Sequence, residues 1–98
     1  MYKVILTKKC LNELLKQKKA GDLSNDSLIL VRTWVSEMTN FGPDYIESCG
    51  HWNDHELKGD RLGQRSSSFS SSGRIIYKVK KTKIEISVVK ITADHDYS

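Results

Sequence analysis

The chain has 98 residues, 38% hydrophobic and 29% charged, which suits one domain over residues 1–98 with a modest core and no room for a large cofactor pocket. No apolar run approaches the roughly 20 residues of a membrane span, the start MYKVILTKK lacks signal-peptide anatomy, and two cysteines, Cys10 and Cys49, are too few for a disulfide framework. The net charge of +4 is uneven: six Lys and one Glu in residues 1–19, one Arg and seven acids in 20–57, nine Lys or Arg and four acids in 58–98.

Tyr2 to Thr7 reads as a strand, with Tyr2, Val4, Ile5 and Leu6 as good strand formers. Thr7 can cap a helix over Lys8–Ala20, with Leu11, Leu14 and Leu15 on one face and Gly21 as its stop. A second helix is expected from Ser24, Asn25 or Asp26, because Leu28, Val31, Val35 and Met38 repeat at three and four. Asn40 to Asp60, with Gly42, Pro43, Gly50 and Gly59, reads as a long loop. Arg65–Phe69 is a candidate strand. Six serines in the seven residues Ser66–Ser72 suggest a polar hairpin, with Phe69 as anchor and hydroxyls facing solvent or a phosphate. Arg74–Lys80 and Ile84–Thr92 read as two more strands, the second with Ile84, Ile86 and Val88 inward and Val89 and Ile91 as further candidates.

The order β-α-α-β-β-β predicts an α+β domain, an antiparallel sheet covered on one face by two N-terminal helices. The first strand is expected to lie beside the last. If the two basic ends meet in space they form one positive face suited to a polyanion; if they do not, they are ordinary solvated surface.

His51, His55 and His95 can move protons near neutral pH. Asp54, Glu56, Asp94 and Asp96 flank histidines and could orient imidazoles, or serve as ordinary loop acids. Cys49, His51 and His55 read Cys-x-His-x3-His, which matches no common structural zinc pattern and lacks an evident fourth ligand. No metal and no cofactor is expected. The chain has neither a nucleotide-binding Gly-rich loop nor a G-x-S-x-G elbow. Arg65 and Arg74, on expected strands, carry the donor fork that holds phosphates. A histidine, arginines and a phenol around one phosphate suffice for metal-free RNA cleavage through the ribose 2′-OH.

Asp54-His55-Glu56-Leu57-Lys58-Gly59, then Gly63, then Arg74-Ile75-Ile76-Tyr77-Lys78-Val79, then His95-Asp96-Tyr97, resembles the RelE/ParE superfamily of toxin–antitoxin toxins, above all its YafQ and YoeB branches. The likeness covers about the last 45 residues; the first half agrees only in its strand–helix–helix layout. The resemblance implies a RelE-like fold and a toxin that cuts mRNA in the ribosomal A site and is silenced by a cognate antitoxin. It implies catalytic roles for His55, Arg74, His95 and Tyr97, and contacts from Arg65, Lys58, Arg61 and Lys78 to RNA or phosphate, with mRNA on the ribosome and ribosomal RNA as partners. The expected location is cytoplasmic, with no membrane partner. Ser66, Ser67 and Ser68 stand where relatives carry extra basic residues or histidine, and Asp96 separates His95 from Tyr97. Two other readings stay open. One is a ParE-like gyrase inhibitor, a branch without this catalytic set. The other is a catalytically silent relative that binds only antitoxin or RNA.

Overall fold

The computed structural model describes residues 1–82 and 84–93, so His95 and Tyr97 lie outside the described residues. The elements run β1 (Lys3–Leu6), α1 (Lys8–Ala20), α2 (Asn25–Phe41), α3 (Pro43–Ser48), β2 (His55–Glu56), β3 (Arg65–Ser68), β4 (Arg74–Val79) and β5 (Glu85–Thr92). Single 3₁₀ turns occupy Gly50–Trp52 and Gly59–Arg61.

α1 has the expected limits. Thr7 Oγ1 accepts from the Cys10 N–H at 3.1 Å, and Gly21, at φ 80°, takes the left-handed conformation that ends the helix. Its buried stripe differs from the expected one. α1 packs mainly along one strand, β5, so only the narrow line Cys10, Leu14 and Gln17 turns inward. Leu11 and Leu15 are left 45% and 54% exposed. α2 starts after Ser24, whose hydroxyl accepts from the Ser27 N–H. It buries Val31, Trp34 and Met38, while Leu28 and Val35 are only half-buried.

The segment expected to be one long loop is partly ordered into elements. Gly42, at φ 88°, closes α2 through its N–H to the Met38 carbonyl, and Pro43 opens α3 at a position where its missing N–H costs nothing. Turn residues therefore mark a restart of helix here. α3 is too short for a periodic pattern, and Ile46 is its one buried apolar residue besides Pro43.

The sheet order is β1-β5-β4-β3-β2. β3, β4 and β5 form the expected antiparallel meander, and β2 adds to its far edge. β1 lies beside β5 as expected and runs parallel to it, so the sheet is mixed. The pairs Ile76↔Lys90 and Tyr77↔Val88 leave Val89 without a partner. That bulge reverses the in–out alternation, so Ile86 and Val88 are followed inward by Ile91, with Val89 half-buried. Ile84 precedes β5 and is 59% exposed, contrary to the expected inward position.

Register partners share a face of the sheet. One face carries Val4, Leu6, Ile75, Tyr77, Ile86, Val88 and Ile91, and packs with Val31, Trp34 and Met38 of α2 into the core. Both tryptophan N–H groups are satisfied there: Trp34 Nε1 donates to Ser67 Oγ at 2.9 Å and Trp52 Nε1 to Glu37 Oε1 at 2.9 Å. Phe69 anchors the serine hairpin, as expected. Ser66 and Ser67, expected to face solvent or a phosphate, are fully buried instead. Among the described residues, no helix is long and apolar enough to cross a membrane.

Candidate functional site

The face of the sheet turned away from α2 carries three of the expected site residues, His55, Arg74 and Lys78. Alternation along the strands puts His55, Ser66, Ser68, Arg74, Ile76, Lys78 and Lys90 on this side. His55 is level with Ser66 and Ile76. Arg74 stands two positions along the strands in one direction, opposite Ser68, and Lys78 two positions in the other. With strands about 4.8 Å apart and a rise of about 3.4 Å per residue, His55 and Arg74 have Cα atoms about 12 Å apart. Their side chains can therefore reach one bound strand from two sides, without touching each other.

His55 is exposed, and its Nδ1 lies 3.2 Å from the Asn53 carbonyl oxygen. A carbonyl can only accept, so this bond requires the hydrogen on Nδ1, which in the neutral ring leaves Nε2 as the acceptor. Asn53 itself sits at φ 46°, in the left-handed region that asparagine tolerates better than most residues. Arg74 Nη1 donates to the carbonyls of Ser70, Ser71 and Gly73 at 3.2, 3.4 and 2.9 Å, which ties the guanidinium to the hairpin turn. Among the described residues no carboxylate lies within ion-pair distance of Arg74, Lys78 or Lys58. Ser68 Oγ, on the same face as Arg74, is sheltered from solvent and has no hydrogen-bond partner among the described residues. Lys90 lies 3.9 Å from Glu13 of α1. Beside it an open groove of about 800 Å³ runs between α1 and the end of β5, lined by Lys16, Gln17, Lys90 and Thr92 among others.

Lys58 and Arg61 belong to the turn joining β2 to β3, at the Lys78 end of this face. Lys58 is exposed, and Arg61 Nη1 donates to Gln64 Oε1 at 2.9 Å. Arg65 is placed differently. It lies on the α2 side of the sheet, where Nε donates to Asp54 Oδ1 at 2.7 Å and the guanidinium also faces Glu47 at 3.6 Å and Glu56 at 3.8 Å. Burial pulls its pKa down, but the hydrogen bond and charge of Asp54, with Glu47, outweigh that and raise it. Three carboxylates thus outnumber the single charge of Arg65, and it is not presented with His55 and Arg74.

Asp54 is the residue whose role sequence reasoning weighed too loosely. Its side chain is fully buried, and it does not touch the His55 ring. It faces the opposite side of the sheet. Oδ2 accepts from Ser67 Oγ at 2.6 Å and from the Tyr77 hydroxyl at 2.7 Å, while Oδ1 takes Arg65. Tyr77 stacks edge-on against Trp34, and burial, then the adjacent Asp54 charge, push its phenol well above the usual tyrosine range. The neutral phenol is a fixed donor. The signal that could have separated Asp54 from His55 was strand alternation, but β2 is only two residues long and carries no pattern.

Among the described residues no group of three or more His, Cys, Asp or Glu side chains is placed to hold a metal ion. Cys49 is half-buried, and His51 packs edge-on against Trp52 with ring centroids 4.7 Å apart.

No protein-family model matches the sequence, and no curated protein matches it. Solved structures do match in fold. A metal-bound toxin from Helicobacter pylori superposes with a TM-score of 0.73 at 22% identity, over 97% of this chain and 96% of that one. YafQ from E. coli gives 0.73 at 11% identity, over 94% and 92%. The YoeB-YefM complex from Staphylococcus aureus gives 0.68 at 11% identity, over 94% and 95%. The likeness in fold therefore runs over nearly the whole chain, the N-terminal half included, and the chain has the fold of these toxins.

Proposed function

We propose that the chain is the toxin of a type II toxin–antitoxin pair, acting in the cytoplasm as a ribosome-dependent endoribonuclease that cuts mRNA in the A site. The observation that carries this reading is the composition of the sheet face turned away from α2. An exposed histidine on β2 lies, along the strand direction, at a level between Arg74 and Lys78 of β4, and among the described residues no carboxylate pairs with either cation. Such a face suits a phosphodiester strand and does not suit an anionic cofactor held in an enclosed pocket.

In the proposed reaction one of His55 and His95 takes the proton from a ribose 2′-OH. The 2′-oxygen attacks the adjacent phosphorus, and the bond to the 5′-oxygen breaks. The other histidine, or Tyr97, gives a proton to that leaving oxygen. Arg74 stabilises the charge that grows on the phosphoryl oxygens. The products are a 2′,3′-cyclic phosphate and a 5′-hydroxyl, and no metal enters. Lys58, Arg61 and Lys78 hold the flanking backbone. The Ser68 hydroxyl opposite Arg74, without a hydrogen-bond partner among the described residues, gains one if a phosphate oxygen reaches it. Arg65 supports the site through Asp54.

The partner is a cognate antitoxin. Solved relatives in fold include the DinJ-YafQ and YoeB-YefM complexes, and an acidic or amphipathic segment laid over the cationic face would block RNA. The test is induced expression of the chain in a bacterial host, with growth recorded and mRNA 5′ ends mapped. Growth arrest with new 5′ ends, lost in His55→Ala and Arg74→Ala, supports the reading. Arrest that persists in both variants points to a gyrase-type poison, and absence of arrest to a silent binder.

A further inference from the structure

We propose that Asp54 is the positioning residue of this site: its carboxylate, on the opposite side of the sheet, fixes the short strand that carries His55 and so sets which imidazole nitrogen faces the substrate. The proposal rests on the reading of His55 as a proton-transfer group.

β2 needs an anchor of this kind. It is two residues long, pairs with β3 through His55↔Ser66 and Glu56↔Arg65 with one further bond from the Leu57 N–H to the Gln64 carbonyl at 3.0 Å, and among the described residues has no strand on its outer side. So short a ladder at a sheet edge holds its geometry weakly, and such ends open readily. Asp54 supplies what the backbone pairing lacks. Its carboxylate bonds to Arg65 and Ser67 of β3 and also to Tyr77 of β4, one strand beyond the reach of the β2 ladder. Its full burial makes those bonds costly to break, since the charge would be left without partners.

The link to the ring runs through the backbone. The peptide between Asn53 and Asp54 presents the Asn53 carbonyl to His55 Nδ1, and Asn53 holds a left-handed conformation closed by its own N–H to the Gly50 carbonyl at 3.2 Å. With the Asp54 side chain pinned, that carbonyl has one direction, the hydrogen sits on Nδ1, and Nε2 is the nitrogen left for chemistry. Asp54 acts on the reaction without meeting the substrate.

The experiment uses the full chain labelled with nitrogen-15 histidine, read by long-range proton–nitrogen correlation at about pH 8.5, roughly two units above the ordinary histidine value. A His55→Gln sample assigns the signal. The expected result is a mainly Nδ1–H tautomer for His55 in the native protein. Asp54→Asn keeps the size but offers an amide to three donors, and should shift His55 toward Nε2–H. Tyr77→Phe, which removes one bond and keeps the ring, should shift it less and serves if Asp54→Asn does not fold. An unchanged tautomer in a folded variant overturns the proposal. In a ribosome-programmed cleavage assay, kcat should fall at least tenfold in Asp54→Asn with KM within about twofold. A fall only in the folded fraction, with kcat per folded molecule unchanged, also overturns it. If the native chain cuts no RNA, the nuclease reading fails, and the tautomer measurement still decides the role of Asp54.

Discussion

Ser67 is the most informative stability probe of the buried network. Its hydroxyl donates to Asp54 Oδ2 at 2.6 Å and accepts from Trp34 Nε1 at 2.9 Å, with no exposure to solvent. Ser67→Ala removes a bond to a charged group, worth about 1.5–3 kcal/mol, and strands a buried indole N–H at a further cost of about 1–3 kcal/mol. The alanine methyl is the Cβ that serine already has, so nothing fills the space the oxygen leaves. The expected loss is about 3–5 kcal/mol. Tyr77→Phe removes only the bond to Oδ2 and keeps the ring against Trp34 at 5.3 Å, so its loss should be about 1.5–3 kcal/mol. Urea unfolding followed by tryptophan fluorescence gives both values, and an unchanged m-value would show that the native state alone is affected. The reasoning fails if Ser67→Ala costs under about 1 kcal/mol, or if Tyr77→Phe costs more than Ser67→Ala.

Four further outcomes follow from particular contacts. Gln17 clamps the end of β5 with its amide, Nε2 donating to the Ile91 carbonyl at 2.7 Å and Oε1 accepting from the Ala93 N–H at 3.0 Å. Gln17→Ala should cost about 1–2 kcal/mol and raise amide exchange at Ala93 by at least tenfold in a hydrogen-exchange measurement. Burial, then the nearby Glu13, push the Cys10 thiol up to about 11, and Tyr77 is also raised, so both groups hold protons that the unfolded chain releases earlier. Stability from these groups is complete below about pH 9 and is lost as pH rises through about 11 and beyond, which denaturant titrations at pH 8, 9.5 and 11 should record. In the native protein at pH 8, a disulfide thiol reagent should label Cys49 and reach Cys10 only on unfolding. Finally, Gly42 holds φ 88° with the Tyr2 ring 2.4 Å from where a Cβ would stand. Gly42→Ala should therefore lower stability by at least about 2 kcal/mol in the same denaturant assay.

Much of the fold was readable because its signals are local. Thr7 and Gly21 mark α1 by capping chemistry, and the apolar runs of β4 and β5 are strand-like in isolation. What the sequence hid depends on long-range placement. Leu11 and Leu15 satisfy a helical stripe, yet α1 meets too little of the protein to bury them. Val89 looks like any strand residue, and only its bulge against β4 reveals why Ile91 turns inward. The serines of β3 read as polar surface because nothing local announces that Trp34 and Asp54, 33 and 13 residues away, require a buried hydroxyl.

The candidate site divides in the same way. His55, Arg74 and Lys78 were named by residue type and by resemblance, and cross-strand register gathers them on one face. Arg65 was named on the same grounds but turns to the other side, because its register partners Glu56 and Tyr77 face the core side with Asp54. His95 and Tyr97 rest on resemblance alone.

The central claim is metal-free RNA cleavage on the ribosome, and the most direct test is primer extension on a defined mRNA incubated with the purified chain in EDTA. Reactions with and without programmed ribosomes would run beside the His55→Ala/His95→Ala double variant. The account predicts new 5′ ends at the A-site codon, bearing 5′-hydroxyls, only when ribosomes are present and only with the intact protein. Uncut mRNA from a folded, monodisperse sample, or equal cutting by the double variant, would contradict it.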